Sequence, residues 1–309
     1  MEVKVIGAGM AGLLAAGMMR RDCAEVYEQA LELPNNHSAV LRFRSSVVAD
    51  TLNIPFKEVR AIKSVEHWRN PIADAMAYSR KTNGTATLRS VLTASPEPQR
   101  RYIAPPDLIA RMADRVQAPI YFGRQVTTDH ALRMRGGGVS WISTIPMPVM
   151  MRILGWKAES KFDFRSGSNL IVDLAGVDAY CSLYVPDPTF PAARISITGS
   201  QLVAECYNDW RPLDDFVFAE QCASKMGLHP SQIDGVKRRN QEYGKILPID
   251  EQERRAFILW ASQEFGIYSL GRFATWRPGL LMDDIVNDVR VIQRLINQTG
   301  ESYTQKLKG

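Results

Sequence analysis

The chain has 309 residues with 45% hydrophobic and 23% charged residues and a formal net charge of +5, which is typical of a globular protein with a full core and an anionic partner. No apolar run approaches the ~20 residues of a membrane span, and the apolar stretch near the start lacks the cleavage site of a secretory signal. The four cysteines lack CxxC spacing, so we expect buried thiols, no metal site and a cytoplasmic location.

The first predicted unit is a strand, a turn and a helix in "KVIGAGMAGLLAAG", which begins at Lys4. Gly7, Gly9 and Gly12 form a GxGxxG pattern, in which the glycines permit a tight turn, close approach to a pyrophosphate and close helix–strand packing. Glu28 follows the next strand, where a carboxylate can accept the hydroxyls of an adenosine ribose. The pattern predicts an ADP moiety and leaves FAD and NAD open; the alternative is a purely structural βαβ unit.

The middle of the chain contains further elements. Residues 34–60 are irregular apart from a helix at 45–52, and residues 60–100 are polar, with short elements and a loop at "TASPEPQRR". "PPDLIARMADRV" predicts a helix, followed by a strand in "APIYFG", the segment "RQVT" and a buried strand in "VSWISTIP". Alternating segments from residue 169 to residue 208 predict an antiparallel sheet, then a helix at "DDFVFAEQCASKMG" and a terminal helix over 282–298.

Four stretches carry a resemblance to a known family: GAGMAG with Glu28, "VSWISTIPMPVMMRIL", "YGKILPID" and "IYSLGRFATWRPGLLMDDIVNDVRVIQRL". In these the chain resembles a compact member of the flavoprotein superfamily that contains amine oxidases, protoporphyrinogen oxidase and UDP-galactopyranose mutase. The expected fold is α/β: a Rossmann-type FAD-binding domain (1–60, 100–150 and 245–309) interleaved with a substrate domain on an antiparallel sheet (60–100 and 150–245).

The last of these stretches favours FAD over NAD, because a second glycine turn faces the cofactor from the far end of the chain. Gly271 lets the backbone approach the ribityl chain and pyrophosphate, and Arg272 neutralises phosphate charge. Met282 and Asp283 lie near the start of the final helix, whose N-terminal dipole can stabilise negative charge on reduced flavin. The alternative is an ordinary strand–turn–helix unit.

The segment after Glu28 departs from the family pattern, because "QALELPNNHSAVLRFR" lacks the usual glycine pair. Arg42 or Arg44 is then the candidate for the phosphate-facing role, with His37 near the flavin ring; a loop with simply solvated arginines is about equally favoured. The predicted cofactor-binding residues are Gly7, Ala8, Gly9, Met10, Ala11, Gly12, Glu28, Arg42, Arg44, Val126, Gly271, Arg272, Met282 and Asp283.

The substrate is expected between the flavin and the antiparallel sheet. The candidates for catalytic residues are His37, Tyr184, Arg194, Tyr207, Tyr243, Lys245 and Trp276, each of which has an alternative role in the core or at a sheet edge. The resemblance implies an FAD-dependent oxidoreductase acting on a C–N bond of an amine or amino-acid-type substrate. Three alternatives stay open: a mutase-like enzyme on a nucleotide sugar, flavin chemistry on an amino-acid-type adduct of a base in hypermodified phage DNA, and a non-enzymatic binding module. The oligomeric state is not predicted.

Overall fold

Two β-sheets and the helices around them make up the computed structural model, which describes residues 2–33, 42–67, 69–86, 92–135, 138–207 and 214–306. The strands are β1 (Val3–Ile6), β2 (Cys23–Tyr27), β3 (Arg42–Phe43), β4 (Lys57–Val65), β5 (Ser95–Ile103), β6 (Ile120–Tyr121), β7 (Ser140–Ser143), β8 (Phe164–Leu174), β9 (Ala179–Tyr184), β10 (Ala192–Gly199), β11 (Gln201–Tyr207), β12 (Ile233–Ile246) and β13 (Ile267–Ser269). The α-helices are α1 (Met10–Met19), α2 (Val47–Leu52), α3 (Pro71–Asn83), α4 (Leu108–Ala113), α5 (Thr128–Met134), α6 (Met147–Leu154), α7 (Asp215–Lys225), α8 (Glu251–Phe265) and α9 (Met282–Lys306).

Sheet A is parallel and has the strand order β13-β7-β1-β2-β6. Its central strand β1 is apolar because it is covered on both faces, which is typical of parallel sheets. Helix α1 is apolar on nearly all sides and is buried beside α4 and α9. The predicted Rossmann-type α/β arrangement is therefore present, with strands from the beginning, middle and end of the chain in one sheet.

Sheet B has the order β12-β8-β11-β10-β9-β4-β5-β3. Strands β8 to β11 form the antiparallel arrangement that their alternation predicts. The prediction of an antiparallel sheet is nevertheless wrong for sheet B as a whole, because β4 runs parallel to β9 and pairs Ile62 with Cys181. Alternation indicates which side chains share a face, but it does not give the direction of a partner strand more than a hundred residues away.

Other elements also differ from the expectations. Most of the predicted loop at "TASPEPQRR" lies in β5, which begins at Ser95, and the segment "RQVT" is irregular. The polar region 60–100 contains a thirteen-residue helix, α3, instead of short elements only. Its start is fixed by Asn70, whose side chain accepts the N–H of Ala73 at 2.9 Å, and its end by Gly84 at φ +79°.

The two faces of sheet B differ in polarity. One face packs its apolar side chains against α7; they include Ile195, Ile197, Leu202, Ala204 and Cys206, and Phe218 and Cys222 from the helix meet them. The opposite face carries polar residues, because successive side chains of a strand alternate in direction. These residues include Ser182, Tyr184, Arg194, Ser196, Thr198, Glu205 and Tyr207.

The predicted domain boundaries stay predictions. Strand β4 crosses residue 60 and β5 crosses residue 100, and both belong to sheet B. Within the described residues, no helix combines the length and the apolar character needed to cross a membrane.

Helix α7 is tied to sheet B by Arg238, whose guanidinium forms an ion pair with Asp215 and donates to Ser168 Oγ at 2.9 Å. We expect Arg238→Met to lower the free energy of unfolding by about 1–2 kcal/mol, because it removes charged hydrogen bonds from a half-buried site whose carboxylate is partly solvated. The matched control is Arg239→Met at the neighbouring exposed position. Urea denaturation of the three proteins measures the difference; equal stability of both variants would contradict this role of Arg238.

Candidate active site

The turn between β1 and α1 is built from close backbone contacts. Gly7 has φ +97°, and its N–H donates to Tyr27 O at 2.7 Å. A Cβ on Gly7 would lie 2.0 Å from Thr144 Oγ1, and one on Gly12 would lie 1.8 Å from Gly7 O. A Cβ on Gly9, by contrast, would meet nothing within 4 Å. Gly7 and Gly12 therefore serve the packing of the turn, whereas Gly9 borders open space.

The N-terminus of α1 opens toward that space. Gly9 is the N-cap residue, no side chain caps the helix, and its first turn has no acidic residue. The first N–H groups of an α-helix have no intrahelical acceptor and carry a partial positive charge. This end of α1 can consequently bind an anion through the N–H groups around Met10 and Ala11.

Glu28 stands at the carboxyl end of β2, beside the glycine turn. Its Oε2 accepts the N–H of Ala8 at 2.6 Å, and its Oε1 accepts the N–H of Ala30 at 2.9 Å. These bonds fix the carboxylate against the turn, and each oxygen keeps a further lone pair for another donor. The arrangement allows Glu28 to accept hydroxyl groups from a ligand lying along the turn.

A cavity of about 610 Å³ extends from Gly9 and Glu28. Its other walls come from residues 124–128, from residues 144–153 and from Tyr243. Val126, for which the sequence analysis predicts a cofactor contact, lines it. Arg124 and Arg152 also line it. The sequence analysis did not predict either of them as a site residue, because neither belongs to a recognisable motif. The two arginines add positive charge to a cavity whose wall also contains the carboxylate of Glu28.

The far end of the chain reaches the same turn. Gly271 has φ +89°, and a Cβ built on it would lie 3.0 Å from Ala11 Cβ, in the first turn of α1. Leu270 N–H donates to Ser143 O at 2.8 Å, which continues the parallel pairing of β13 with β7. The structure thus brings the two predicted glycine segments, more than 250 residues apart in sequence, into contact.

Arg272 follows this second glycine turn. Its guanidinium lies 5.2 Å from the centre of the Phe273 ring. Desolvation lowers the pKa of Arg272, and the nearby Tyr207 and Glu205 oppose that shift. Arg272 is therefore close to the polar face of sheet B as well as to the glycine turn.

The start of α9 is occupied by its own acids. Asp283 accepts the N–H and the hydroxyl of Ser45 at 2.9 and 2.7 Å, and the N–H of Arg44 at 3.3 Å. Asp284 accepts the N–H of Leu281 at 3.0 Å, while Met282 packs against the core of sheet A. Asp283 therefore positions the 44–45 segment, and the N-terminus of α9, unlike that of α1, already has carboxylate partners.

Of the two arginines predicted to face the phosphates, Arg42 is bonded to sheet B. Arg42 donates to Thr198 Oγ1 at 3.1 Å, to Ser182 Oγ at 2.9 Å and to two carbonyl oxygens of β9 and β10. Burial lowers its pKa to about 10. Its guanidinium is committed to sheet B, and Arg44 is exposed. His37 lies outside the described residues.

Several catalytic candidates gather on the polar face of sheet B. Arg194 forms an ion pair with Glu205, with NH2 donating to Oε1 at 2.7 Å, and its guanidinium lies 5.8 Å from the Tyr184 ring centre. Burial acts to lower the pKa of Arg194, but the charge and hydrogen bonds of Glu205 outweigh it and raise the pKa well above its ordinary value. Lys245 Nζ lies 6.0 Å from the ring centre of Tyr207.

Two further candidates have different surroundings. Tyr243 lines the cavity at Glu28, and its ring centre lies 4.5 Å from that of Phe164. Trp276 belongs to the core between α6 and α8 and is 1% exposed. Its indole N–H donates to Leu247 O at 2.7 Å, so its one donor is already used. Tyr243 is thus placed with the cavity, and Trp276 with the core.

Comparisons with known proteins identify the fold. No protein-family model matches the chain, and no curated protein matches it in sequence. A CLA-producing fatty acid isomerase from P. acnes has a similar structure, with a TM-score of 0.57 and 10% identity over 95% of this chain and 98% of that one. A geranylgeranyl bacteriochlorophyll reductase-like protein from Thermoplasma acidophilum has a TM-score of 0.54 and 13% identity over 98% and 79%.

A third similar structure is a ternary complex of aklavinone-11 hydroxylase with FAD and aklavinone. Its TM-score is 0.50, with 12% identity over 96% of this chain and 62% of that one. At such identities the likeness is one of fold. None of the three names gives an amine as substrate.

The open space at Gly9 leads to a prediction. We expect Gly9→Val to fold with a stability loss of no more than about 1 kcal/mol, because its Cβ meets no neighbour and only a helix cap is weakened. The same variant should not bind the predicted dinucleotide, because the valine side chain occupies the space at the N-terminus of α1. Gly12→Ala, in contrast, destabilises the fold through its contact with Gly7 O. Thermal unfolding measures stability, and the ratio of visible flavin absorbance to protein absorbance measures cofactor content; a Gly9→Val protein with full flavin content would contradict the prediction.

Proposed function

We propose that this chain is an FAD-dependent oxidoreductase, with FAD bound along the glycine turn and the Glu28 cavity. The observation that carries the proposal is the contact between the turn at Gly271 and the first turn of α1 at Ala11, beside the cavity of about 610 Å³. An extended dinucleotide needs contacts along its whole length, and the two ends of the chain supply them here. The similar structure of a hydroxylase in complex with FAD supports the same cofactor.

The residues present fit an FAD molecule. The uncapped N-terminus of α1 suits the pyrophosphate, and the open space at Gly9 leaves room for it. Glu28 suits the ribose hydroxyls, because its carboxylate is held beside the turn by Ala8 and Ala30. Arg124 and Arg152 add positive charge to the cavity wall.

FAD supplies hydride or electron transfer when bound, and the protein supplies binding, orientation and electrostatics. Glu28 and the α1 N-terminus hold the nucleotide end. Arg272 contributes positive charge between the Gly271 turn and Tyr207 on the polar face of sheet B. The ion pair of Arg194 with Glu205 holds the centre of that face rigid. A substrate bound against this face would lie near Arg272 and so near the turn at Gly271.

The finer specificity is also a proposal. Oxidation of a C–N bond is inferred from the sequence resemblance to amine oxidases, and a mutase-like isomerase on a nucleotide sugar is the first alternative. The isomerase from P. acnes has the same fold, so this architecture also occurs in an enzyme named for isomerisation. Anaerobic reduction with candidate amines and amino acids tests the first proposal: bleaching of the flavin supports it, and bleaching only by dithionite counts against it.

We expect the purified protein to be yellow from non-covalently bound FAD, and Arg272→Ala to lose FAD more readily or to change its reduction potential. A charge-assisted contact to phosphate contributes roughly 1.5–3 kcal/mol, so the dissociation constant should rise at least about tenfold. Arg255→Ala is the matched control, because Arg255 is exposed and pairs only with Glu251 on its own helix. FAD titration and spectroelectrochemistry measure the two effects; an Arg272→Ala protein unchanged in both contradicts this role.

The alternative of a substrate carried on nucleic acid depends on paired arginines, and some of these form ion pairs within the protein. Arg238 is bonded to Asp215, Arg254 and Arg255 to Glu251, and Arg100 to Glu58. We therefore expect only weak binding of a duplex oligonucleotide. Polyanion binding would show a slope of log affinity against log salt of about −0.9 per phosphate neutralised. A steep slope that falls in an Arg238→Ala, Arg239→Ala double variant would favour the nucleic-acid alternative.

A further inference from the structure

A second cavity, of about 560 Å³, lies between α3 and the segment that connects β9 to β10. Its walls are mostly apolar: Ala73, Met76 and Ala77 from the helix, and Pro188, Phe190 and Pro191 from the connecting segment. The polar groups that line it are Arg80, Lys81 and Tyr207. The cavity therefore combines an apolar interior with two cationic side chains, and none of its lining residues named here is acidic.

Lys81 is the more enclosed of the two cations. Its Nζ donates to the carbonyl oxygens of Val185 at 3.0 Å and Asp187 at 2.8 Å. An ammonium group has three N–H donors, so these carbonyls leave one for another acceptor. Buried charges in proteins are normally paired, yet the two oxygens that Lys81 contacts are neutral. A ligand carboxylate would provide a negative charge bonded directly to the ammonium group.

The two nearby acids each bind another group, although the buried Glu66 Oε2 has no hydrogen-bond partner among the described residues. Glu66 pairs with Lys225 at 2.5 Å, and Asp187 accepts the backbone N–H and the hydroxyl of Thr189 at 2.8 and 2.7 Å. Lys225 Nζ itself lies 4.6 Å from the ring centre of Phe190. Burial lowers the pKa of Lys81 to about 8, against the opposing charges of Asp187 and Glu66. The lysine is therefore mainly cationic at neutral pH, in surroundings where its charge is poorly solvated.

Tyr207 connects this cavity with the proposed cofactor site. It lines the cavity and lies on the polar face of sheet B, next to Glu205. Burial raises the pKa of Tyr207 well above its ordinary value; the charge of Glu205 adds to the shift, and Arg194 and Arg272 oppose it. Arg272 in turn follows Gly271, which touches the first turn of α1. A continuous series of neighbouring residues thus leads from the second cavity to the glycine turn.

We propose that this second cavity binds an apolar molecule that carries a carboxylate, with Lys81 and Arg80 as the groups that hold the carboxylate. That the ligand is the substrate of the flavoenzyme rests on the proposed function; that the cavity selects an apolar anion does not. The proposal also distinguishes between substrate classes, because a cationic amine without a carboxylate would place a like charge beside Lys81. It favours acids over simple amines.

Isothermal titration calorimetry on the full-length protein tests the selectivity with three probes of one shape: 4-phenylbutyrate, its neutral amide and 4-phenylbutylamine. We expect the carboxylate to bind at least about tenfold more tightly than the amide, and the amine to bind most weakly. In Lys81→Met the ratio of carboxylate to amide affinity should fall to about twofold or less, and Lys81→Arg should restore it. Lys161→Met is the matched control, because Lys161 is exposed and its ion pair is with Asp163.

A second variant guards against misfolding of Lys81→Met, since Lys81 also bonds two backbone carbonyls. Met76 lines the cavity and is 38% exposed, so Met76→Glu adds a negative charge there with little risk to the core. It should weaken carboxylate binding at least about tenfold and leave amide binding nearly unchanged. Equal affinity for carboxylate and amide, no binding of either, or a carboxylate preference that survives both Lys81→Met and Met76→Glu would overturn the proposal.

Flavin content is measured separately on the same samples by absorbance. Protein that lacks FAD but keeps the Lys81-dependent carboxylate preference would refute the proposed function and leave the ligand assignment standing. Protein that holds FAD but shows no carboxylate preference would refute the ligand assignment and leave the proposed function standing.

Discussion

The packing of α1 on β1 depends on two positions where a single methyl group does not fit. A Cβ on Gly12 would overlap Gly7 O at 1.8 Å, and a Cβ on Gly7 would overlap Thr144 Oγ1 at 2.0 Å. This close approach directs the N-terminus of α1 into the cavity and sets Ala11 against Gly271. The first turn of α1 is therefore bordered by the turn at Gly271, which follows β13 in sheet A.

The sequence predicted the structure best at positions where the backbone geometry allows few residue types. The glycines and Glu28 predicted the β1–α1–β2 unit, because positive φ, close packing and a carboxylate at a strand end each restrict the residue choice. The direction of β4 beside β9 and the helix α3 were not predictable in this way. The partners of β4 are far away in sequence, and the polar surface of α3 carries a weak periodicity that turn-forming residues around it obscure.

The candidate site was predicted in part for the same reason. Val126 and Tyr243 reach the cavity, and Gly271 meets the glycine turn, whereas Arg42 is held by sheet B and Trp276 lies in the core. An arginine that follows a phosphate motif in sequence can reach acceptors in any direction, because its long side chain is not fixed by the backbone. Lys81 had no sequence signal at all: its importance comes from two carbonyl oxygens on a segment about a hundred residues later.

Two features of the fold affect how the chain folds during translation. Asp283 forms hydrogen bonds to Arg44 and Ser45, and β13, which is late in the sequence, belongs to sheet A together with β1. Synthesis is vectorial and proceeds at about 5–20 residues per second, so the first βαβ unit emerges many seconds before β13 and α9. Over that interval the apolar surface of α1 that α9 later covers is exposed, and so is the edge of β7. The contact between Gly271 and the first turn of α1 therefore forms only after β13 has been translated.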